Sequence, residues 1–234
     1  MAALPWQVET LRLTFLNLSH DQAEQDFSWS TITSVAPETV TNKPSLGLIT
    51  EEGPWLNGSL SVSRQIGRVD IVYSYVPDAD QPLPNAGKFV ECMSRFEGVF
   101  KVASEIKASR VGFGGVLLLP VETGDEGYSY LNKFLPFISF ESDMSEVYFQ
   151  VNRKKSSPLG LQVNQLSKWS CLALKRMILT DDVLSAGLAD LHAVRVEFDI
   201  NTADQHDKVV VCQMADLLQD LSSRAIFVSE NGAL

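Results

Sequence analysis

Alternating apolar and polar residues predict several half-buried β-strands along this chain. The clearest case is Val8–Leu16, in which alternate residues from Leu11 to Phe15 are apolar. A period of two places successive side chains on opposite faces of a sheet, one face on the core and one in water. The same alternation predicts a hairpin of Ser59–Gln65 and Arg68–Val76 after the turn signal Asn57-Gly58. Further strands are predicted at Phe27–Val35, Ser109–Val121, Glu146–Val151, Leu159–Met177 and Leu191–Ile200. Pro37–Pro54 is predicted to be mostly loop, with room for a short strand near Leu46–Thr50, and Asp181–Asp190 to be a connection with weak helical character.

Apolar residues spaced by three and four predict helices in other segments. The stretch Gly87–Pro136 opens with such a stripe, which indicates a helix with one buried side. The continuous apolar strand Ser109–Val121 follows it, and then a second, shorter helix at Gly124–Leu135. A last helix is predicted at Gln205–Phe227. The stripe in the first helix consists of Phe89, Met93, Phe96, Phe100 and Ala103.

The order of these elements predicts an α+β protein. Each half of the chain contains several antiparallel strands followed by one long amphipathic helix. We therefore expect a single domain, residues 1–234, with similarly laid-out halves at 1–107 and 108–234. Because a sheet with one wet face needs helices on the other, we expect a curved, mostly antiparallel sheet with two long helices on one face.

Composition narrows the class of protein. The chain has 234 residues, 45% hydrophobic and 21% charged, which is ordinary for a globular protein with its own core. It shows no apolar run long enough to cross a membrane and no secretory signal pattern, and its three widely spaced cysteines suit a reducing cytoplasm. The formal net charge of −10 disfavours direct nucleic-acid binding and fits either solubility or a basic partner protein.

Two features are candidates for protein contact. The run Arg153-Lys154-Lys155 concentrates positive charge in an acidic chain, although the solvated end of a hairpin is the simpler interpretation. Trp55 lies between Pro54 and a turn, where it is either an exposed anchor for a partner or a tucked loop residue. A third group, Phe113, Tyr128 and Phe198, is predicted to line an apolar pocket.

The remaining polar residues do not suggest a reactive centre. Glu197 and Asp199 share one strand face, where they are either cation ligands or a solvated surface, and His192 has the opposite parity. The glycines of Gly112–Gly115 lie inside a strand without the context of a phosphate loop, so close backbone approach is the better interpretation. The cysteines are expected to be small core residues. We expect no cofactor and no bound metal.

Several short motifs resemble a sporadically distributed, uncharacterised family of bacterial cytosolic proteins of similar length. They include Arg68-Val69-Asp70, Arg110-Val111-Gly112-Phe113, Tyr130-Leu131-Asn132 and the run Val196–Ile200 before the final helix. The resemblance covers roughly the last three-quarters of the chain. Leu118-Leu119-Pro120 departs from it, since the family carries an aromatic–asparagine pair there. The resemblance implies a bacterial cytosolic α+β protein with an accessory role beside other gene products.

The sequence therefore leads to three functional hypotheses. The first is a non-enzymatic protein-interaction subunit: an antitoxin-like, inhibitory or accessory component of a bacterial multi-protein system. The second is a small-ligand-binding module with an apolar pocket between the sheet and its helices. The third is a metal-dependent hydrolase built around Glu197 and Asp199.

Overall fold

Nine strands form one antiparallel sheet in the computed structural model, which describes residues 4–18, 27–78, 80–141, 144–178, 187–203 and 214–233. The strand order across the sheet is β2-β3-β4-β5-β1-β6-β9-β8-β7. The strands are β1 (Gln7–Leu16), β2 (Thr39–Lys43), β3 (Leu48–Trp55), β4 (Gly58–Gln65), β5 (Arg68–Tyr75), β6 (Arg110–Val121), β7 (Tyr148–Ser156), β8 (Gln162–Ile178) and β9 (Gly187–Thr202). The helices are α1 (Trp29–Thr33), α2 (Phe89–Ala103), α3 (Gly124–Phe134) and α4 (Met214–Asn231). The α+β class and the antiparallel sheet are confirmed.

The helices pack on one face of this sheet. Leu11, Leu13 and Phe15 of β1 are fully buried, as their alternation predicts. Aromatic contacts join the helices to this same face: Phe96 of α2 lies 6.2 Å from Phe113, ring centroid to centroid, and Phe134 of α3 lies 4.9 Å from Trp169. We call this side the helix face and the opposite side the open face.

One glycine in β6 shows why the helix face packs closely. A Cβ atom on Gly115 would lie 2.7 Å from Cζ of Phe198 and 2.8 Å from Cδ2 of Leu11. Only glycine leaves room for these two side chains to meet across β6. Close approach, rather than phosphate binding, therefore accounts for this glycine.

Polar side chains on the open face satisfy one another. Thr14 donates a hydrogen bond to Asp70 at 2.6 Å, and Arg68 pairs with the same carboxylate. Across the centre of the sheet, Arg12 lies 3.5 Å from Asp199, which also accepts a hydrogen bond from Asn201 at 2.9 Å. These contacts are those expected of a sheet face that water covers.

The first strand prediction after β1 is wrong. Phe27–Val35 contains helix α1 rather than a strand, and the helix begins after Ser28, whose side chain accepts a hydrogen bond from the Thr31 N–H. Trp29 is buried, and its indole N–H donates to the carbonyl of Leu60. A short capped helix therefore forms in the segment where the sequence pattern predicted a strand.

Four other elements differ from prediction in their boundaries. Pro37–Pro54, predicted to be mostly loop, contains β2 and most of β3. Lys154 and Lys155 lie within β7 rather than in the connection to β8. The end of the predicted connection Asp181–Asp190 belongs to β9, and the described part of the final helix, Met214–Asn231, continues past its predicted end at Phe227. Residues 181–186 and 205–213, which carried parts of these predictions, lie outside the described residues.

Within the described part of the chain, no helix combines the length and the apolar character needed to cross a membrane.

Candidate interaction site

Strand β8 extends well beyond its neighbour β7. The 17 residues of β8 pair with β9 throughout, but β7 pairs only with Gln162–Ser170. From Cys171 onward, no strand among the described residues pairs with the β7 side of β8. We call the segment Cys171–Leu174 the open edge of β8.

The hydrogen bonds at the start of β8 show which backbone groups point outward there. In an antiparallel sheet, alternate residues of a central strand bond to its two neighbours. The Ser157 N–H donates to the Leu161 carbonyl at 2.7 Å on the β7 side, and the Ala203 N–H donates to the Gln162 carbonyl at 2.8 Å on the β9 side. Because the register of β8 continues without a shift, its odd-numbered residues face the β7 side. The N–H and C=O groups of Cys171 and Ala173 therefore point out of the open edge.

The chain before β7 turns away from this edge. Glu146 has a φ of 56°, a left-handed conformation that is uncommon for a residue other than glycine. Continued pairing would place Val147 opposite Cys171, but β7 begins one residue later at Tyr148. The backbone turn at Glu146 thus accompanies the loss of pairing along β8.

A cleft of about 830 Å³ lies beside the open edge. Its lining includes two runs of four successive residues, Ser145–Tyr148 before and at the start of β7 and Ser170–Ala173 of β8. Side chains of a strand alternate between faces, so successive residues line one cleft only where the strand's edge borders it. The lining is completed by Glu9, Gly124, Tyr128, His192 and Arg195.

The first turn of α3 forms the wall of the cleft on the helix face. Gly127 packs directly on Cys171: a Cβ atom on Gly127 would lie 2.4 Å from the Cys171 Sγ. The same thiol lies 3.9 Å from the carbonyl oxygen of Gly124. Burial raises the pKa of the Cys171 thiol, which favours its protonated form at neutral pH.

His192 adds an unsatisfied polar atom to this wall. It lies opposite Ala173 in the β8–β9 pairing, and its Nδ1 is 3.9 Å from the position of a Cβ on Gly124. Among the described residues, this buried Nδ1 has no hydrogen-bond partner. A buried polar atom without a partner is uncommon in a folded protein and costs free energy.

Ion pairs occupy the open-face side of the cleft. Arg195 lies 3.7 Å from Glu9 and 3.5 Å from Glu197, and Lys168 lies 2.7 Å from Glu197. Burial tends to raise the pKa of Glu197, but the hydrogen bond and charge of Lys168, together with Arg195, outweigh it and hold this pKa below its ordinary value. Arg195 is therefore already compensated by carboxylates.

The structure separates the three residues predicted to line an apolar pocket. Tyr128 lines the cleft beside β8. Phe113 and Phe198 are 0% and 1% exposed, and their ring centroids lie 5.8 Å apart within the core. Their grouping with Tyr128 needs correction, because a continuous apolar run shows that a strand is buried but not which buried residues border a cavity.

The predicted contact residues also lie apart from the cleft. Trp55 is half-buried, with its ring 5.2 Å from Tyr73 and 5.7 Å from Phe96, centroid to centroid. Its environment is that of the tucked residue rather than the exposed anchor. Arg153 donates a hydrogen bond to the Ala233 carbonyl at 2.6 Å.

The two lysines after Arg153 point to opposite faces of β7. Lys155 lies over the ring of Phe227, with its Nζ 5.8 Å from the centroid, whereas Lys154 is exposed on the open face. The run is thus spread along an edge strand instead of being concentrated at a turn.

Glu197 and Asp199 are engaged with cations of the open face, and His192 lies on the helix face as its parity predicts. In the described part of the chain, no group of three or more His, Cys, Asp or Glu side chains could hold a metal ion. The two carboxylates therefore have the environment of a solvated strand face.

Of the cysteines predicted to be core residues, Cys92 is 3% exposed, and burial raises its pKa to about 11. Cys171 is partly buried, packs against the core and also lines the cleft, so the core interpretation describes that residue only in part. Cys212 lies outside the described residues, as do His20 and His206.

Comparison with known proteins adds no relative: no family model, curated protein or solved structure matches the chain.

Proposed function

We propose that this protein is a non-enzymatic interaction subunit that binds an extended segment of a partner protein as an added strand on the open edge of β8. The observation that carries this proposal is the outward direction of the Cys171 and Ala173 backbone groups, at an edge that borders a cleft. An accessory, inhibitory or antitoxin-like component of a bacterial cytoplasmic system would act in this way.

Strand addition supplies affinity through main-chain hydrogen bonds and specificity through contacts to alternate side chains. Each net hydrogen bond contributes on the order of 1 kcal/mol. The cleft offers different surroundings to the two sides of an incoming strand: Tyr128 and His192 on the helix face, and Arg195 with Glu9 on the open face. It can therefore distinguish one segment from another.

The composition of the edge supports this assignment. Natural proteins protect exposed edge strands with charge, proline or short length. Strand β2 has five residues, ends at Lys43 and precedes Pro44, and β7 carries a run of cationic residues. Ser170–Leu174 contains neither a charged residue nor proline. The open edge of β8 lacks these protections over Cys171–Leu174, as expected of a strand that receives a partner there, and the first charged residues on the unpaired part of the strand are Lys175 and Arg176.

The test uses the full chain and a short peptide selected against it from a random display library. Ala173→Pro removes the outward N–H at this position and leaves the bonds to β9 in place, because β9 pairs with the even-numbered residues. We expect it to weaken peptide binding about tenfold or more, since about 1.4 kcal/mol corresponds to each factor of ten. Affinity is measured by fluorescence anisotropy, with thermal unfolding as the check on folding.

Two matched variants complete this test. Ala173→Gly keeps the N–H and should bind as the wild type does. Asn152→Pro removes an outward N–H from β7 by the same parity and should also leave binding unchanged. Unchanged binding by Ala173→Pro, loss of binding in Asn152→Pro alone, or failure to select any peptide would each contradict strand addition at β8.

A small-ligand-binding module is the second candidate function. Tyr128 and Tyr148 contribute aromatic surface to the cleft, and its volume lies within the range of about 300–1,000 Å³ found for small-ligand sites. A ligand held by side chains would be insensitive to Ala173→Pro but sensitive to Tyr128→Ala. That pattern would favour the second function over the first.

A further inference from the structure

We infer that the segment received by the open edge of β8 is basic, with Lys or Arg side chains directed to the rim of the cleft. This inference rests on the proposed strand addition and adds the chemistry of the partner. The net charge of −10 is compatible with a basic partner for the protein as a whole. The charges at and near the cleft beside β8 are the structural basis of this inference.

One exposed carboxylate lines the cleft, and three more belong to chain neighbours of a residue that lines it. Gly124, which lines it, has the acidic neighbours Glu122, Asp125 and Glu126 in the chain, all exposed. Glu146 is itself part of the lining and is exposed. The carboxylate of Glu126 accepts a hydrogen bond from the Glu122 N–H at 2.8 Å, so it is held at the start of α3.

The cationic member of the lining does not offset this charge. Arg195 has carboxylate oxygens of Glu9 and Glu197 at 3.7 Å and 3.5 Å, and its side chain is 25% exposed. An acidic segment that sought Arg195 would have to displace those carboxylates. A basic segment meets the carboxylates of Glu146 and of the residues around the start of α3, which form no ion pair among the described residues.

Aromatic surface beside the carboxylates fits the same side chains. Tyr128 is partly exposed within the cleft, and Tyr148 is 59% exposed at its β7 end. Lys and Arg stems pack on such rings, and their cationic groups are attracted to the ring face. Glutamate and aspartate gain no comparable contact there.

Exposed ion pairs contribute little individually, and salt screens them over about 8 Å at physiological ionic strength. Several carboxylates acting together raise the association rate of a basic segment more than they slow its dissociation. We therefore expect a preference for basic over acidic segments that is large at low salt and falls as the salt concentration increases.

The experiment compares two synthetic peptides that share an alternating Thr/Val sequence and differ only in carrying Lys or Glu at the same interspersed positions. The wild-type full chain should bind the Lys peptide about tenfold more tightly than the Glu peptide at low salt, a difference of about 1.4 kcal/mol. High salt should bring the two affinities together. Stopped-flow association should show most of the difference in the association rate.

Charge reversal locates the effect. The double variant Glu122→Lys with Glu146→Lys should remove the preference for the Lys peptide. The matched control is the double variant Glu97→Lys with Glu105→Lys. Both residues are exposed, Glu97 on α2 and Glu105 just after it. Glu105 lies at the opposite end of β6 from Gly124. This control pair makes the same change in net charge and should keep the preference.

The outcomes separate this inference from the proposed function. If both peptides bind equally and Ala173→Pro weakens both, strand addition stands and the basic partner is wrong. If the control double variant removes the preference for the Lys peptide as fully as Glu122→Lys with Glu146→Lys does, the net charge of the protein rather than the cleft selects the partner. If Ala173→Pro changes neither affinity, or neither peptide binds, strand addition itself is wrong.

Discussion

The contact between Gly127 and Cys171 sets the position of α3 against β8, and Gly127→Ala tests it. An added Cβ would lie 2.4 Å from the Cys171 Sγ, whereas ordinary contacts begin near 3.4 Å. The helix or the strand would therefore have to move by about 1 Å. Gly127 is buried, so the displacement cannot be taken up in solvent.

Two opposing terms determine the size of the effect. Alanine stabilises a helix interior over glycine by about 1 kcal/mol. Overpacking a tight contact costs typically about 1–3 kcal/mol, and an overlap this large lies at the upper end of that range. We expect Gly127→Ala to lower the free energy of unfolding by about 1–2 kcal/mol, measured by urea denaturation.

Cys171→Ala removes the obstructing atom. The remaining Cβ of residue 171 would lie 3.7 Å from the new Cβ, which is an ordinary contact. In that background the helix propensity of alanine should dominate, so the double variant should be at least as stable as Cys171→Ala alone. The expected coupling energy between the two positions is about 2–3 kcal/mol, within the range found for contacting residues.

Equal destabilisation by Gly127→Ala in both backgrounds would refute this reasoning. It would mean that the cost arises from Gly127 itself rather than from the contact with Cys171. The rate at which a thiol reagent modifies Cys171 gives a second measurement. A displaced α3 should expose the Cys171 thiol and accelerate the reaction.

Two further predictions concern the cleft and its ion pairs. His192→Phe should raise the free energy of unfolding, measured by urea denaturation, by about 1 kcal/mol, because it removes a buried polar atom that has no partner among the described residues. A marked loss of stability would show that Nδ1 does have a hydrogen-bond partner. At pH values above 4.5, the ordinary pKa of a glutamate, Glu197→Gln should lower the free energy of unfolding by less than about 1 kcal/mol, since the side chain is partly exposed. Because the folded-state pKa of Glu197 is lowered, its contribution is present above that value and is lost as pH falls through the folded-state pKa. The wild type should therefore lose stability more steeply in acid than the variant, and parallel acid titrations of the two would contradict the ion pair.

Strands with one wet face could be predicted because their pattern is local. The hairpin of β4 and β5 was predicted to within a residue or so, since alternation and a turn signal both lie within a short window. The face that each β9 side chain occupies could also be predicted, because even- and odd-numbered residues of a strand lie on opposite faces. His192 was correctly predicted to lie on the other face from Glu197 and Asp199.

Elements determined by distant contacts could not be predicted in this way. Trp29 is held by the carbonyl of Leu60 and, through its backbone N–H, by Glu51 at 2.7 Å. Neither partner is close in sequence. Strand β2 is exposed at every residue, so it has no apolar pattern to detect.

The open edge of β8 left one signal in the sequence. The predicted strand Leu159–Met177 was much longer than its predicted partner Glu146–Val151. Two paired strands of unequal length leave part of the longer one without a neighbour. The turn at Glu146 left no such signal, because left-handed backbone is typical of glycine or asparagine rather than glutamate.

The walls of the cleft also explain how an open edge can be tolerated. An unprotected strand usually invites the sheet of a second copy, which needs a broad, flat approach. Here Tyr128 and the first turn of α3 stand beside the open edge of β8, and Ser145–Tyr148 stand at its end. We expect these walls to admit one extended segment but obstruct a second sheet. Selective access of this kind would allow an open edge without charge at Cys171–Leu174 to persist without pairing to the sheet of a second copy, and it requires α3 to remain where Gly127 and Cys171 hold it.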